Sequence, residues 1–203
     1  MPLHHPMNLA LFDFDGTITT RELMPDFVRM ATTKRRRMVG RVALAPIFVG
    51  YKAGFVSGNA IRERITDFAF RGLPQRDLHD AGERFARDVV PAQLRPEAMA
   101  RLQWHREQGD TIVVVSGSFD LYLSHWCAQH GLELLCSSLE SRDGVMTGRY
   151  LGAQCVGAEK ARRVRERYDL SRYPVIHAYG DTHEDRDLLA LAHRRWYRGQ
   201  QIA

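Results

Sequence analysis

The sequence predicts an α/β fold, a Rossmann-like doubly wound parallel sheet with an inserted α-helical cap. The sheet is predicted by apolar runs that alternate with helical patterns and end in polar loops containing glycine, at residues 9–12, 111–115 and 175–179. The cap is predicted because residues 19–110 carry no strand signal. We therefore expect a core formed by residues 1–18 and 91–203 and a helical cap formed by residues 19–90.

Local patterns predict the other elements in order. Apolar residues recur at helical spacing after the first strand and again between residues 59 and 90, with a break at Gly72-Leu73-Pro74. Further helices are expected at residues 96–108, 120–130 and 159–168. A third strand is expected at residues 132–135. Residues 137–151 favour a hairpin, because Asp143-Gly144 suits a type I′ turn.

Composition places the chain among globular proteins. Its 203 residues are 44% hydrophobic and 26% charged, which is enough to form a substantial core. The net charge of +5 is spread along the chain, so it favours an anionic partner without choosing between phosphorylated small molecules, nucleic acid and lipid headgroups. The N-terminus lacks the basic and apolar regions of a signal peptide, and we expect a cytoplasmic protein.

The cysteines and histidines argue against a zinc site. Three cysteines without CxxC spacing also argue against a disulfide framework and favour a reduced compartment: Cys127, Cys136 and Cys155. His183 and Glu184 have no neighbouring histidine at ligand spacing, so we expect them to support a site or to face the cap. We assign structural roles to His125 and His177.

A basic run followed by an apolar stretch has two interpretations. Lys34-Arg35-Arg36-Arg37 precedes apolar residues 42–56, which Pro46, Gly50 and Lys52 interrupt. This stretch is shorter than the ~18 to 20 uninterrupted apolar residues of a membrane-spanning helix. The first interpretation is a set of cap helices, and the second is peripheral contact with an anionic membrane surface.

Polar side chains collect where the predicted strands end. Asp13 and Asp15 follow the first strand, with Phe14 between them facing the other way because side chains alternate in extended backbone. Other candidates follow later strands or begin a helix, namely Ser116, Lys160, Asp181 and Asp185. The carboxyl ends of parallel strands meet at one edge of a sheet, which is where α/β proteins bind ligands. We therefore expect these side chains to form one site.

Four motifs resemble those of the haloacid dehalogenase superfamily of phosphatases. They are DFDGT, VVVSGS, the lysine of Gly157-Ala-Glu-Lys160, and GDTHED, in the order expected along the chain. A helical insert after the first motif resembles the subfamily that includes phosphoserine phosphatase. The resemblance implies a Mg²⁺-dependent hydrolase of phosphomonoesters that acts through an aspartyl-phosphate intermediate.

The resemblance implies a role for each acid. Asp13 is the nucleophile and a metal ligand, and the backbone carbonyl of Asp15 is a further ligand. Asp181 and Asp185 complete or support the metal site. The Asp15 carboxyl group protonates the departing alcohol and then activates water. These roles agree with the chemistry, since a phosphate dianion repels a carboxylate nucleophile unless cations offset the charge.

The resemblance also implies which groups hold the substrate. Ser116, Gly117 and Lys160 would bind the phosphoryl oxygens. Glu22 and Arg64 of the predicted cap would meet the amino and carboxylate groups of a zwitterion, which favours a small polar, phosphoserine-like metabolite. Arg62, in the same IRERI segment, resembles the cap of that subfamily too.

Two alternatives remain open. GDTHED replaces the usual GDGAND of phosphoserine phosphatases, and the segment from Cys155 to Lys160 resembles a bacterial branch that includes a phosphatidylglycerophosphate phosphatase. The first alternative is therefore a lipid phosphatase at the membrane surface. The second is a non-enzymatic nucleic-acid-binding protein, suggested by the basic run, although we expect no nucleic-acid partner for a phosphatase.

Overall fold

The computed structural model describes residues 7–203 and confirms the predicted α/β class. The expectation of no signal peptide falls mainly on residues 1–6, outside this range. The main sheet has six strands in the order β3-β2-β1-β6-β7-β8, and every neighbouring pair is parallel except β7 and β8. These strands are β1 (Leu9–Phe12), β2 (Thr111–Phe119), β3 (Glu133–Ser137), β6 (Ile176–Gly180), β7 (Arg194–Tyr197) and β8 (Gln200–Ile202).

The helices follow the predicted order. Six helices lie between β1 and β2, and the first five are α1 (Met24–Ala31), α2 (Lys34–Ala43), α3 (Ala45–Lys52), α4 (Gly58–Phe70) and α5 (Gln75–Asp88). The others are α6 (Pro96–Glu107), α7 (Asp120–His130), α8 (Ala158–Arg167) and the single turn α9 (Arg186–Leu189). None of the helices within residues 7–203 is long and apolar enough to cross a membrane.

One apolar cluster joins the inserted helices to the rest of the chain. Phe27, Phe70 and Phe85 pack with Phe119 and Tyr122, which belong to β2 and α7. The approach of α5 to α7 is close, because a Cβ on Gly82 would lie 1.9 Å from a backbone carbonyl oxygen of α7. The boundary at residue 90 between core and cap stays a prediction.

Strand β2 differs from the expected strand of residues 111–115. It continues to Phe119, and its pairing with β3 passes from Ser116↔Cys136 to Phe119↔Ser137 across an irregularity in register. The predicted polar loop is thus a bulge within a paired strand. A bulge redirects side chains without ending the ladder, which places Ser116 and Ser118 close to the end of β1.

The hairpin is confirmed as β4 (Leu139–Arg142) and β5 (Val145–Tyr150). Asp143 and Gly144 both have positive φ, 50° and 74°, as a type I′ turn requires. The hairpin lies against the connection between α4 and α5, where the backbone N–H of Met146 donates to the carbonyl of Leu73 at 2.9 Å. Strands β7 and β8 were not predicted, since both are short and charged or polar residues dominate their sequence.

Candidate active site

Three acidic side chains meet at the carboxyl edge of the sheet, as the sequence predicts. Asp13 follows β1, and Asp181 and Asp185 belong to the loop after β6, the neighbouring strand. One carboxylate oxygen from each lies within 4.8 Å of the other two. Asp13 and Asp185 are buried, whereas Asp181 is partly exposed. The arrangement can hold a cation between groups that come from two strands.

Lys160 is the cation within this group. It lies in the first turn of α8 and is only 3% exposed. Its Nζ donates to Asp13 Oδ1 at 2.5 Å and to Asp185 Oδ1 at 2.6 Å. Burial alone would lower the pKa of Lys160, but the charges of Asp13 and Asp185 outweigh burial and raise the pKa above its ordinary value. The lysine therefore stays charged.

Asp185 is saturated with donors on its second oxygen. Its Oδ2 accepts the backbone N–H groups of Asp181 at 3.1 Å and Thr182 at 3.0 Å, and also the Thr182 hydroxyl at 3.2 Å. Burial raises the pKa of Asp185, but Lys160 and these donors outweigh it and the net pKa is lowered. Asp185 thus fixes the shape of the loop and the position of Lys160.

Asp13 lacks such donors, and its electrostatics differ. Burial raises the pKa of Asp13 to about 8 in spite of the opposing effect of Lys160. Burial also raises the pKa of Asp181. Lys160 bonds two of the three carboxyl groups, Asp13 and Asp185, and an additional cation would favour the ionised form of Asp13 and Asp181, whose pKa values are raised without it. An all-oxygen donor set suits a hard cation such as Mg²⁺.

Asp15 is held from two sides, separately from the other acids. Its Oδ1 accepts the backbone N–H of Leu23 at 2.8 Å, and its Oδ2 accepts the hydroxyl of Ser118. Burial raises the pKa of Asp15 to about 6, because its effect exceeds the opposing effects of these two donors. Sequence reasoning did not single out Ser118, because its contact with Asp15 depends on the bulge in β2.

The predicted phosphate-binding residues lie at this bulge. Ser116 is buried, and its Oγ accepts the backbone N–H of Ser118 at 3.0 Å. Gly117 lies against the loop before α8, since a Cβ there would be 2.6 Å from Val156 Cγ1. A larger residue would push these segments apart. Glycine at this position thus keeps the bulge of β2 against the loop that leads to Lys160.

Gly16 and Phe14 complete the first loop. Gly16 has a φ of +79°, and a Cβ there would lie 2.2 Å from Asp181 Oδ2, so a side chain would collide with the acid cluster. Phe14 is fully buried and packs edge-on against Trp126 with ring centroids 5.1 Å apart. Phe14 therefore anchors the loop in the core, as its position between two acids predicts.

The cap residues are placed differently from the prediction. Glu22 and Arg62 line one cavity of about 440 Å³ among α1, α2, α3 and α4. Arg64 does not line it and is exposed on α4. Two residues along a helix are separated by about 200° around its axis, so Arg62 and Arg64 cannot face the same cavity. The arginine that lines the cavity together with Glu22 is therefore Arg62 instead of Arg64.

Arg62 also connects α4 to the acidic loop. Its guanidinium group donates to Glu184 Oε1 at 2.9 Å, to Gln154 Oε1 at 3.0 Å and to Asn59 Oδ1 at 2.7 Å. Glu184, for which we expected a supporting or cap-facing role, thus contacts α4. Nothing in the sequence pointed to Gln154, because it lies in an irregular segment that is distant in sequence from Arg62.

A second polar cluster lies at the opposite edge of the same sheet. His105 forms two hydrogen bonds. Its Nδ1 lies 2.7 Å from Asp110 Oδ2, and its Nε2 lies 2.8 Å from the Tyr179 hydroxyl oxygen. His177 lies 4.8 Å from His105 between ring centroids and stacks on Trp196. These side chains are buried and mostly bond to one another, which is typical of a structural network.

Comparison with known proteins supports the same assignment. The family model for haloacid dehalogenase-like hydrolases matches residues 10–190. Protein CicA of Caulobacter vibrioides is 30% identical over 201 residues, which cover 96% of this chain and 87% of that protein.

Solved structures with low sequence identity share the fold. A protein of unknown function from Bordetella pertussis Tohama I superposes with a TM-score of 0.79 at 24% identity, over 94% of this chain and 89% of that one. A substrate-bound phosphoserine phosphatase superposes with a TM-score of 0.69 at 19% identity, over 96% and 87% of the two chains. With the family match and the acid cluster together, the resemblance of the four motifs is confirmed, and the chain belongs to the haloacid dehalogenase-like hydrolases.

Proposed function

We propose that this hydrolase is a Mg²⁺-dependent phosphatase that cleaves phosphomonoesters through an aspartyl-phosphate on Asp13. The observation that carries the proposal is the contact of Lys160 Nζ with Asp13 Oδ1 at 2.5 Å, inside a cluster of carboxylates that could hold a metal ion. The phosphoserine phosphatases among the structures of the same fold support this choice of reaction. Because the family is one of enzymes, the interpretation as a non-enzymatic nucleic-acid-binding protein is wrong.

The proposed chemistry uses two acids in sequence. An oxygen of Asp13 attacks phosphorus while the bond from phosphorus to the ester oxygen breaks, and Asp15 gives its proton to the departing alcohol. Asp15 then takes a proton from water, whose oxygen attacks phosphorus and releases phosphate from Asp13. A carboxyl group whose pKa is raised to about 6 can serve as acid and then as base near neutral pH.

The cations have separate tasks. Lys160 would bind a phosphoryl oxygen and reduce the repulsion between the phosphate and Asp13. Asp13, Asp181 and, directly or through water, Asp185 would hold Mg²⁺, with the backbone carbonyl of Asp15 as a further ligand. When bound, the metal would offset negative charge on the carboxylates and on the transferring group.

The substrate proposed first is a small polar phosphorylated metabolite similar to phosphoserine. Glu22 and Arg62 supply opposite charges to one cavity, and such a pair recognises a zwitterion. A second candidate is a phospholipid that ends in a phosphomonoester. It is favoured by the other lining residues, which are largely apolar and include Leu44, Phe48 and Ile65.

Replacement of the nucleophile tests the reaction. Asp13→Asn should lower kcat/KM for a generic phosphate ester by at least about 10³-fold, because an amide is a poor nucleophile. Chelation of Mg²⁺ should abolish turnover by the unmodified protein. Asp169→Asn, which changes an exposed acid, is the matched control and should leave kcat/KM unchanged. Full activity of Asp13→Asn would disprove the assignment of the nucleophile.

Two neighbouring arginines test the cavity. Arg62→Ala and Glu22→Ala should lower kcat/KM for phosphoserine more than for a generic ester, and the Arg62 change should do so by about tenfold or more. Arg64→Ala is the control from the same helix. A screen of phosphorylated metabolites and phosphatidylglycerophosphate would separate the two substrate classes. If Arg64→Ala had the larger effect on selectivity, the cavity would not be the binding site.

A further inference from the structure

Helices α2 and α3 expose apolar side chains to an unusual extent. Among the large hydrophobic residues exposed within residues 7–203, seven of thirteen lie between residues 38 and 55. The four most exposed of these seven are Met38 at 67%, Val42 at 78%, Val49 at 68% and Phe55 at 89%. Helix α3 has no buried residue at all, and α2 buries only Gly40. These helices therefore add little to the core and present an apolar surface of their own.

The same segment carries a concentrated positive charge. Helices α2 and α3 contain six Lys and Arg residues and no Asp or Glu, so this stretch has a formal charge of +6. Four cations are exposed and form no ion pair with a carboxylate in the described part of the chain: Lys34, Arg35, Arg41 and Lys52. Exposed cations beside apolar side chains are complementary to a surface that is anionic outside and apolar beneath.

The proposed occupant follows from these two properties. We propose that α2, α3 and the turn to Phe55 form a docking surface for a bilayer that contains anionic phospholipids. We call the four exposed apolar residues and the four exposed cations named above the basic-apolar surface. A second copy of this chain is a poor alternative, since two stretches of +6 would repel each other. The phosphates of a nucleic acid would bind the cations but would not contact the apolar side chains of Val42, Val49 and Phe55.

The cavity strengthens this assignment. Phe48 and Tyr51 line it and are also exposed, 42% and 46%, so the cavity opens where α3 meets solvent. Glu22 also lines it and is adjacent to Leu23, whose backbone N–H bonds Asp15. A docked bilayer would therefore face the opening of a mostly apolar cavity. Membrane binding itself does not depend on the proposed phosphatase reaction.

The experiment measures co-sedimentation of the full chain with vesicles. One set contains phosphatidylcholine only, and the other contains phosphatidylcholine with phosphatidylglycerol. Both lipids are phosphodiesters, so neither is a substrate for a phosphomonoesterase. We expect binding to the anionic vesicles, little binding to the neutral ones, and weaker binding as salt increases. Asp13→Asn should bind like the unmodified protein, which separates docking from the proposed reaction.

Two groups of variants address the surface. The triple variant Val42→Ser, Val49→Ser and Phe55→Ser removes side chains that lie outside the cavity, and it should weaken binding at least about tenfold. Leu151→Ser, at a residue 61% exposed elsewhere, is its control. The double variant Lys34→Gln and Arg35→Gln should weaken binding by about tenfold. Its control, Arg165→Gln with Arg172→Gln, removes the same charge from another surface.

Three results would overturn the proposal. The first is equal binding, or none, to the two kinds of vesicle. The second is a triple variant that binds as tightly as its control. The third is another occupant: a dimer that the triple variant converts to a monomer, or DNA binding that survives the triple variant, in either case without vesicle binding. Circular dichroism of each variant verifies that a loss of binding is not a loss of fold.

Discussion

The two edges of the central sheet carry buried polar clusters of opposite character. At the amino edge, both ring nitrogens of His105 bond to protein groups, and Asp110 Oδ1 accepts the backbone N–H of Asn8 at 3.1 Å. At the carboxyl edge, Asp13, Asp181 and Asp185 crowd around one lysine and retain excess negative charge. In the first cluster Asp110 and His105 are bonded on both sides, although His177 Nδ1 has no hydrogen-bond partner within the described residues, whereas the second cluster could hold a metal ion. Polar burial thus serves stability at one edge and chemistry at the other.

Removal of the lysine at the carboxyl edge is expected to lower both activity and stability. Lys160→Met should lower kcat/KM by at least about 10²-fold, because the phosphoryl charge loses a partner. It should also lower the free energy of unfolding by roughly 3 kcal/mol, since two buried carboxyl groups lose their cation. Enzyme assays and urea unfolding measure the two effects. Lys34→Met, at an exposed lysine, should produce neither. If Lys160→Met left kcat/KM unchanged, the two edges would not differ in their effect on the reaction.

A smaller effect, on stability alone, is expected at the amino edge. Asp110→Asn removes the charge beside His105 Nδ1 and should lower the free energy of unfolding by about 1 to 3 kcal/mol. The value of kcat/KM should stay close to that of the unmodified protein, because this cluster lies at the other end of the strands. Asp13→Asn should show the reverse pattern. A large loss of kcat/KM in a stably folded Asp110→Asn would show that the two edges are coupled.

A third effect concerns only the pH dependence of stability. Burial, with a contribution from the neighbouring His105, lowers the pKa of His177 to about 4. Between pH 6.5 and 4 the unfolded chain therefore takes up a proton at His177 that the folded chain refuses, so stability falls as the pH falls through this window. In His177→Phe, the decrease in the free energy of unfolding over this window should be smaller by up to roughly 3 kcal/mol.

Urea unfolding at several pH values measures how the free energy of unfolding changes with pH. His183→Gln changes an exposed histidine and should keep the pH dependence of the unmodified protein. If His177→Phe kept it too, the buried histidine would not be the source of the acid sensitivity. The comparison between the edges would then rest on Lys160 and Asp110 alone.

The sequence predicted what depends on chain position at the ends of strands. Asp13 and Asp181 follow apolar runs that were predicted to be strands of one parallel sheet, so their meeting could be expected. The sequence does not show which side of α4 faces the cavity. For this reason we predicted Arg64, whereas Arg62 lines the cavity with Glu22. The bond from Ser118 to Asp15 was also unforeseeable, because it requires a bulge that moves a residue of β2 toward the end of β1.

The backbone bond from Leu23 to Asp15 ties the protonation of this acid to the start of the inserted helices. The donor belongs to the main chain, so among substitutions at residue 23 only proline would remove it. Its presence lowers the proton affinity of Asp15, and a displacement of this segment would raise that affinity. The proton affinity of Asp15 is therefore set in part by the position of the main chain that leads into α1.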